Sequence, residues 1–374
     1  MTDSKPVGLY IHVPFCKSKC PYCDFYSVAM KPDTAECYVK EVIRRIREYN
    51  LIYDTVYFGG GTPSLLGSDR IAKILGSVYV TNDCEITVEC NPSDICRENT
   101  ELSFGKLRSC GVNRISMGLQ SADDGERRSL GRRTGRNGIE RAIRTVKAAG
   151  INNISLDIML GIPGQTEDSL AATLGFCIES GVKHISAYIL KIEENTFFGR
   201  NAEKLSLPDE DRTADFYLQT VETLGNAGFE QYEISNFALP GYESRHNLKY
   251  WNDEEYLGTG PAAHSFLGGK RFYFERNLED YLGGAKPVSD GIGGTAEEYI
   301  MLILRLKKGL DYNSFKAKFG CEIPDEIKSF AALLAEKGLA QANENGFHFT
   351  PEGFLISNKL IYETISKLSL PGGH

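Results

Sequence analysis

The stretches GVNRISMG (111–118), GINNISLD (150–157) and GVKHISAY (181–188) share one order: a glycine, a branched apolar residue, one or two polar residues, then an apolar strand. Each follows a segment of helical periodicity, so Gly111, Gly150 and Gly181 read as left-handed caps that close a helix just before a strand. Working outward, six strands are predicted: Leu9–Val13, Thr55–Phe58, Glu85–Glu89, Arg114–Met117, Ile154–Met159 and His184–Ile189. Their starts lie 29 to 46 residues apart, the spacing of βα units in a parallel sheet. Helical patterns fill the gaps at Thr34–Tyr49, Asp69–Leu75, Glu98–Ser109, Asn137–Ala149 and Thr166–Ser180. The fold class is therefore α/β, a partial (β/α)6 TIM-like barrel whose missing quarter leaves room for a large ligand. Barrel sites lie at the C-terminal ends of strands. The cysteine cluster, GGGTP, Glu89 and Gln120 all fall there, after strands one to four.

The chain has 374 residues, 41% hydrophobic and 25% charged, as in soluble globular proteins. No run reaches the roughly 18 apolar residues of a membrane span, and no basic segment leading into an apolar one opens the sequence, so a cytoplasmic protein is expected. Fifty acidic residues against 42 basic ones give a net charge of −8, which weighs against nucleic acid as a partner. The ten cysteines are too sparse for a disulfide scaffold. Cys37, Cys84, Cys90, Cys96, Cys110, Cys177 and Cys321 are scattered and read as small buried apolar residues. Cys16, Cys20 and Cys23 differ, standing together in FCKSKCPYCDF.

Beyond Phe197 the repeat is lost. A helix is predicted at Pro208–Ala227 and a strand at Gly228–Ile234; Gly258–Gly269 reads as loop, and LGGAKPVSDGIGGT as a Gly-rich linker. Residues 1–285 would form the barrel with its extension. Residues 295–374 would form a small, mostly helical, winged-helix-like unit, with helices at Ala296–Lys307, Tyr312–Phe319 and Pro324–Lys337 and a hairpin at FHFTPEGF.

Three thiolates on one loop can hold three irons of a [4Fe–4S] cluster and leave the fourth open to a small ligand. The alternative is zinc with His12 as fourth ligand, although structural zinc sites usually recruit a second, distant pair. CKSKCPYC is similar to the CxxxCxxC signature of the radical S-adenosylmethionine (SAM) superfamily, and GGGTP agrees with it. YIHVPFC, FGGGTPSLL, EITVECNP, RISMGLQS and LDIMLGIPGQT, in that order, narrow the resemblance to its HemN/HemW group, and LRLKKGLD resembles that group's appended domain. The resemblance implies that SAM chelates the open iron and that the reduced cluster cleaves it to methionine and a 5′-deoxyadenosyl radical. It implies SAM contacts from Tyr10, Tyr22, Gly60, Gly61, Thr62, Glu89, Gln120, Arg132, Asp157 and Ala187. In this reading the glycines let backbone approach the ligand, and the Arg132 guanidinium pairs with its carboxylate. No catalytic residue is assigned.

Two features choose within the group. The coproporphyrinogen oxidase branch resembles CxxxCxxCxC and carries a longer segment ahead of the cysteines. Here Phe25 takes the place of that further cysteine, and fifteen residues precede Cys16. SRHNLKYW, in contrast, is similar to the HNxxYW motif of the group's haem chaperones. The resemblance implies haem as cargo, contacted by His246, Asn247, Tyr250 and Trp251, with an imidazole for the iron and aromatic faces for the macrocycle. His264 is the rival ligand, and His184 reads as structural. Expected partners are haem or a related tetrapyrrole, acceptor haemoproteins (some reached by peripheral membrane contact) and an electron donor, for a monomer or dimer. The competing readings are oxygen-independent coproporphyrinogen III dehydrogenase and another radical SAM activity on a tetrapyrrole.

Overall fold

The computed structural model describes residues 5–95 and 102–368. Six parallel strands run in chain order: β1 (Val7–Val13), β2 (Ile52–Gly60), β3 (Tyr79–Cys90), β4 (Arg114–Gln120), β5 (Asn153–Leu160) and β6 (His184–Ile189). Helices Pro32–Tyr49, Gly67–Leu75, Phe104–Ser109, Arg136–Ala148 and Glu167–Glu179 alternate with them. Gly111, Gly150 and Gly181 have φ of 102°, 83° and 61°, the left-handed conformation in which a side chain would be strained. The partial barrel expected from the sequence is thus the observed fold. Part of the helix predicted from Glu98 lies outside the described residues; within them it starts at Phe104, where the Ser103 hydroxyl accepts from the Lys106 amide. The short Asp124–Ser129 helix had no counterpart in the sequence reading.

The sheet is larger than the repeat suggested. β7 (Glu230–Glu233) and β8 (Asn236–Ala238) extend it antiparallel beyond β6. On the opposite edge β9 (Tyr256–Thr259) pairs parallel with β1, and β10 (His264–Leu267), β11 (Lys270–Tyr273) and β12 (Val288–Ile292) follow antiparallel. The loop expected at Gly258–Gly269 is therefore two strands and their turns. A Cβ at Gly258 would stand 2.0 Å from the His264 carbonyl oxygen, so the small residues that read as loop instead permit close strand packing. The stretch read as a Gly-rich linker likewise contains β12, which joins the main sheet.

Helices Ala296–Ile303, Tyr312–Phe319 and Asp325–Glu336 follow, with a three-stranded sheet of β13 (Leu310–Asp311), β14 (Ala340–Asn343) and β15 (Gly346–Phe349). This unit shares one continuous apolar core with the barrel. Backbone bonds from Ile234 to Arg305 and from Lys307 to Tyr232, each 3.0 Å, fasten it to β7. The nine described cysteines are all free; Cys84, Cys90 and Cys177 are buried, Cys110 and Cys321 half-buried. Cys37 is exposed, contrary to expectation, because it falls off the buried stripe Ala35–Tyr38–Val39–Val42 of its helix. Cys96 lies outside the described residues.

Glu233 is buried at this junction, and burial pushes its carboxyl up to about 7, against hydrogen bonds from Asn236 and Ser235 and the charge of Arg305, which favour ionisation. The folded chain holds this proton through a window in which an unfolded carboxyl, near 4.5, has lost it. Stability therefore falls as pH rises through that window, on the order of 3 kcal/mol for the full difference. Glu233→Gln should become progressively more stable than wild type between about pH 5 and pH 8, measured by urea unfolding of the full chain. A difference that stays flat across that range contradicts the assignment.

Strands buried on both faces are normally apolar throughout, and here only the helix-facing side is. Ile115, Met117, Ile154, Leu156, Ile158, Ile185 and Ala187 pack under the helices, whereas Arg114, Ser116, Ser155, His184 and Ser186 are buried polar residues at the alternate positions. The barrel interior is therefore a polar chamber.

Candidate functional site

The segment between Pro14 and Val28 leaves β1 and returns to it. The Val28 amide donates to the Pro14 carbonyl (2.7 Å), the Cys16 amide to the Val28 carbonyl (3.0 Å), and the Cys23 amide to the Cys20 carbonyl (3.1 Å). Backbone bonds thus present Cys16, Cys20 and Cys23 on one compact loop, all three half-buried and lining a single cavity of about 430 Å3. Lys17 pairs with Asp94, and the Phe198 amide donates to the Pro21 carbonyl, tying the loop to the segments that follow β3 and β6. Tyr22, Gly60, Gly61, Thr62, Glu89, Gln120, Arg132 and Asp157 line the same cavity. Of the ten SAM contacts expected, Tyr10 instead lines the adjoining chamber, and Ala187 lies on the helix-facing side of β6 with its amide donating to the Ser235 carbonyl. His12 is buried, its ring nitrogens 3.2 Å from the Tyr10 hydroxyl and 3.1 Å from the Tyr26 carbonyl. Those contacts leave the zinc alternative without its fourth ligand.

The glycine triplet is explained first by packing. A Cβ at Gly60 (φ 102°) would meet the His12 ring at 2.6 Å, and one at Gly61 would meet the Phe15 and Val13 carbonyl oxygens at 2.7 and 2.8 Å. The Gly61 and Thr62 amides donate to those same two carbonyls. The Thr62 hydroxyl consequently lies 3.4 Å from the Cys16 sulfur.

Charge is concentrated on the cavity floor. Glu89 accepts from the Tyr57 hydroxyl (2.8 Å) and from the Gly60 amide, and its pKa is raised to about 7 by burial and then by Asp157. Asp157 accepts from Ser116 (3.1 Å) and is itself raised, chiefly by burial. Arg114, 1% exposed, reaches into the cavity with Nε and Nη1 unpartnered. Arg132 donates from Nη2 to the Tyr22 hydroxyl (2.9 Å) and leaves Nε unpartnered. Buried cationic donors without acceptors are costly, so these two arginines suit a ligand that brings an anionic group. Gln120 is held at φ 67° at the end of β4, a strained conformation of the kind found at functional sites.

A second, aromatic chamber of about 600 Å3 opens beside the first, and Phe25, Tyr57, Glu89, Tyr188 and Asn247 wall both. His246, Asn247 and Tyr250 of the haem motif lie on its wall, on the Arg245–Trp251 helix. Trp251 lines neither cavity; it packs against the core with Arg305 over its ring, so three of the four residues expected to contact haem line the chamber and Trp251 does not. His246 is 1% exposed, with Nδ1 2.8 Å from the Thr55 hydroxyl and Nε2 2.7 Å from the Tyr250 hydroxyl. His264 lines the chamber as well, whereas His184 is buried between Ser155 and Tyr232. Sequence reasoning passed over Arg114, Ser116, Ser186, Tyr57 and Tyr188. Their signal was present: Ser116, Ser155 and Ser186 recur at one position of the threefold echo, inside strands that should have been wholly apolar.

The sequence model of the radical SAM superfamily matches residues 10–177, and that of the HemN C-terminal domain matches residues 295–356. Heme chaperone HemW of Lactococcus lactis subsp. lactis (strain IL1403) is 32% identical over 369 residues, covering 95% of this chain and 96% of that protein. Heme chaperone HemW of Bacillus subtilis (strain 168) is 32% identical over 379 residues, covering 96% and 99%. Among solved structures, coproporphyrinogen III oxidase (HemN) from Escherichia coli, a radical SAM enzyme, superposes with a TM-score of 0.81 at 23% identity, over 97% of this chain and 91% of that one, which establishes the shared fold. The resemblance read from the motifs is thereby borne out: the chain belongs to the HemN/HemW group of the radical SAM superfamily and, within it, to the HemW family.

Proposed function

We propose that the chain is a haem chaperone: it binds haem in the aromatic chamber and passes it to acceptor haemoproteins, on a scaffold that carries a [4Fe–4S] cluster and SAM. The observation that carries this reading is the pair of joined cavities. A planar apolar ligand in the chamber would lie against Tyr57, Tyr188 and Phe25, directly beside the cysteine loop. Phe25 is 64% exposed and Tyr188 43%, large aromatic surface that a macrocycle would cover. The chamber's volume falls within the roughly 300–1,000 Å3 of cofactor-sized sites. The heme chaperones HemW that resemble this chain along nearly their whole length support the same reading.

The donor set fits the cluster and SAM. Cys16, Cys20 and Cys23 would hold the cluster; together with SAM it supplies one-electron chemistry. Arg132, steadied by Tyr22, and the orphaned Arg114 would attract the SAM carboxylate, while Glu89 and Asp157 offer acceptors to its ammonium and hydroxyl groups. Thr62 and the glycine turn fix the cavity wall beside Cys16. Three thiols kept for a cluster suit a reducing compartment, so the site of action is the cytoplasm, with an electron donor to reduce the cluster. Among the described residues no helix is long and apolar enough to cross a membrane. The rival dehydrogenase reading loses support because Phe25 replaces that branch's further cysteine.

The test is anaerobic and two-armed. Haemin titrated into the cluster-reconstituted full chain should bind stoichiometrically, followed by the Soret band. Coproporphyrinogen III with SAM and a reductant should release no carbon dioxide. Formation of the vinyl product would overturn the chaperone reading in favour of the dehydrogenase.

A further inference from the structure

We propose that the iron of haem in this chamber is coordinated by His264, with Arg276 at the rim receiving a haem propionate, and that His246 only supports the chamber wall. The inference rests on the haem-binding reading above and assigns the ligand within it.

The first ground is the state of His246. Both of its nitrogens are engaged, its ring lies 5.3 Å from and nearly parallel to that of Tyr57, and its side chain is sealed from solvent. Iron coordination would break one of these bonds and strand a buried hydroxyl, a penalty of roughly 1–3 kcal/mol. His246 is held as a wall residue.

His264 has the opposite character. It lines the same chamber from the start of β10, is exposed, and its ring nitrogens have no hydrogen-bond partner among the described residues. Its cross-strand neighbour Tyr273 stacks on it, 5.1 Å between centroids at 23°. The stack orients the imidazole without using either nitrogen. Partial burial lowers its pKa, and Arg276 and Arg271 lower it further against the opposing charge of Asp290, so a free lone pair is available at neutral pH.

The backbone leading to His264 is constrained to an unusual degree. Ala262 has φ 68° and donates its amide to the Phe274 and Glu275 carbonyls at 3.0 and 3.1 Å. A Cβ at Gly260 (φ 102°) would stand 2.3 Å from the His12 carbonyl oxygen. A left-handed alanine persists only where surrounding structure enforces it, and such strain gathers at ligand sites. Here the strained turn ends at the one chamber imidazole with free nitrogens. Arg276 supplies the matching charge: it lines the chamber, is exposed, and pairs at 3.3 Å with Asp24 of the cysteine loop. Exposed pairs of this kind contribute little, so a propionate can replace Asp24.

The experiment titrates haemin, iron-free protoporphyrin IX and haemin dimethyl ester into the cluster-reconstituted full chain and its variants. His264→Ala should weaken haemin binding by at least about tenfold, since losing even an outer-sphere partner of a metal ligand costs that much, and should alter the Soret band. Protoporphyrin affinity should be unchanged. His264→Cys should give the spectrum of thiolate-ligated ferric haem, a signature no structural role produces. Arg276→Ala should weaken haemin and protoporphyrin alike but leave the dimethyl ester untouched. Iron–sulfur content equal to wild type confirms that each variant is folded. If His264→Ala binds haemin with wild-type affinity and spectrum, or His246→Ala alone abolishes the iron-dependent spectrum, the assignment to His264 is overturned while haem binding stands. If the wild-type chain takes up no haemin, the haem reading fails and this inference with it.

Discussion

Cys20→Ser should leave the full-length chain without iron–sulfur absorbance after anaerobic reconstitution, and Cys16→Ser and Cys23→Ser should do the same. The expected loss is all-or-none because the three sulfurs sit on one short loop whose path is set by backbone bonds at both ends, Val28 to Pro14 and Cys16 to Val28. Removing one sulfur leaves a cluster with two ligands and no substitute close by. Among the described residues, the other cysteine lining the same cavity is Cys90, but it is buried at the end of β3 and burial drives its thiol far above the ordinary range. A thiol that keeps its proton is a poor ligand, so Cys90→Ser should retain the full complement of iron and sulfide. Those backbone bonds do not involve the cysteine side chains, so circular dichroism of the three loop variants should match wild type. Iron and sulfide assays decide the matter: a Cys20→Ser chain that reconstitutes to wild-type content would falsify the ligand assignment.

How much of this was legible in the sequence depended on how locally each feature is encoded. The parallel core was readable because a glycine cap and the strand after it lie within eight residues, and the echo at Gly111, Gly150 and Gly181 repeats that local unit. The cysteine loop was readable for the same reason. The strands β9 to β12 were not, because they are short and their glycines carry a turn signal that here serves close packing, as at Gly258 beneath His264. The histidines show the limit most clearly. Sequence placed His246 in a motif and offered His264 as the rival ligand, but the partners that occupy His246 include Thr55, 191 residues away. Only the folded chain shows which imidazole has its nitrogens free. Arg114 was passed over for a related reason: at the head of a strand it reads as a boundary charge, whereas the barrel turns it inward among Glu85, Asp157 and Tyr57.

Gly61→Ala is expected to separate the cavity's shape from its ligand set. Gly61 does not have a positive φ, so the added methyl does not strain its own backbone. The conflict is with space: the Cβ would stand 2.7 Å from the Phe15 carbonyl oxygen, 2.8 Å from that of Val13 and 3.0 Å from the Phe15 amide. All three are backbone atoms of the segment leading into Cys16, so no side chain can swing aside. Relief requires the glycine turn to move off β1, which breaks the bonds from Gly61 to Val13 and from Thr62 to Phe15. Overpacking and two lost hydrogen bonds together should destabilise the chain by roughly 2–4 kcal/mol. The same shift draws Thr62 away from Cys16 and distorts the wall that SAM would meet, so SAM affinity should fall by about tenfold or more, the consequence of misplacing a preorganised site by a fraction of an ångström to one ångström. Cluster content should survive, since all three cysteines remain. Gly175→Ala provides the contrast: it lies in the Glu167–Glu179 helix with nothing within 4 Å of a new Cβ, and it should stabilise by about 0.5–1 kcal/mol. Urea unfolding and calorimetric titration with SAM, run on both variants, test the argument. A Gly61→Ala chain as stable as wild type and binding SAM undiminished would mean that the glycine turn is free to move, and that the cavity is not held by its seam to β1.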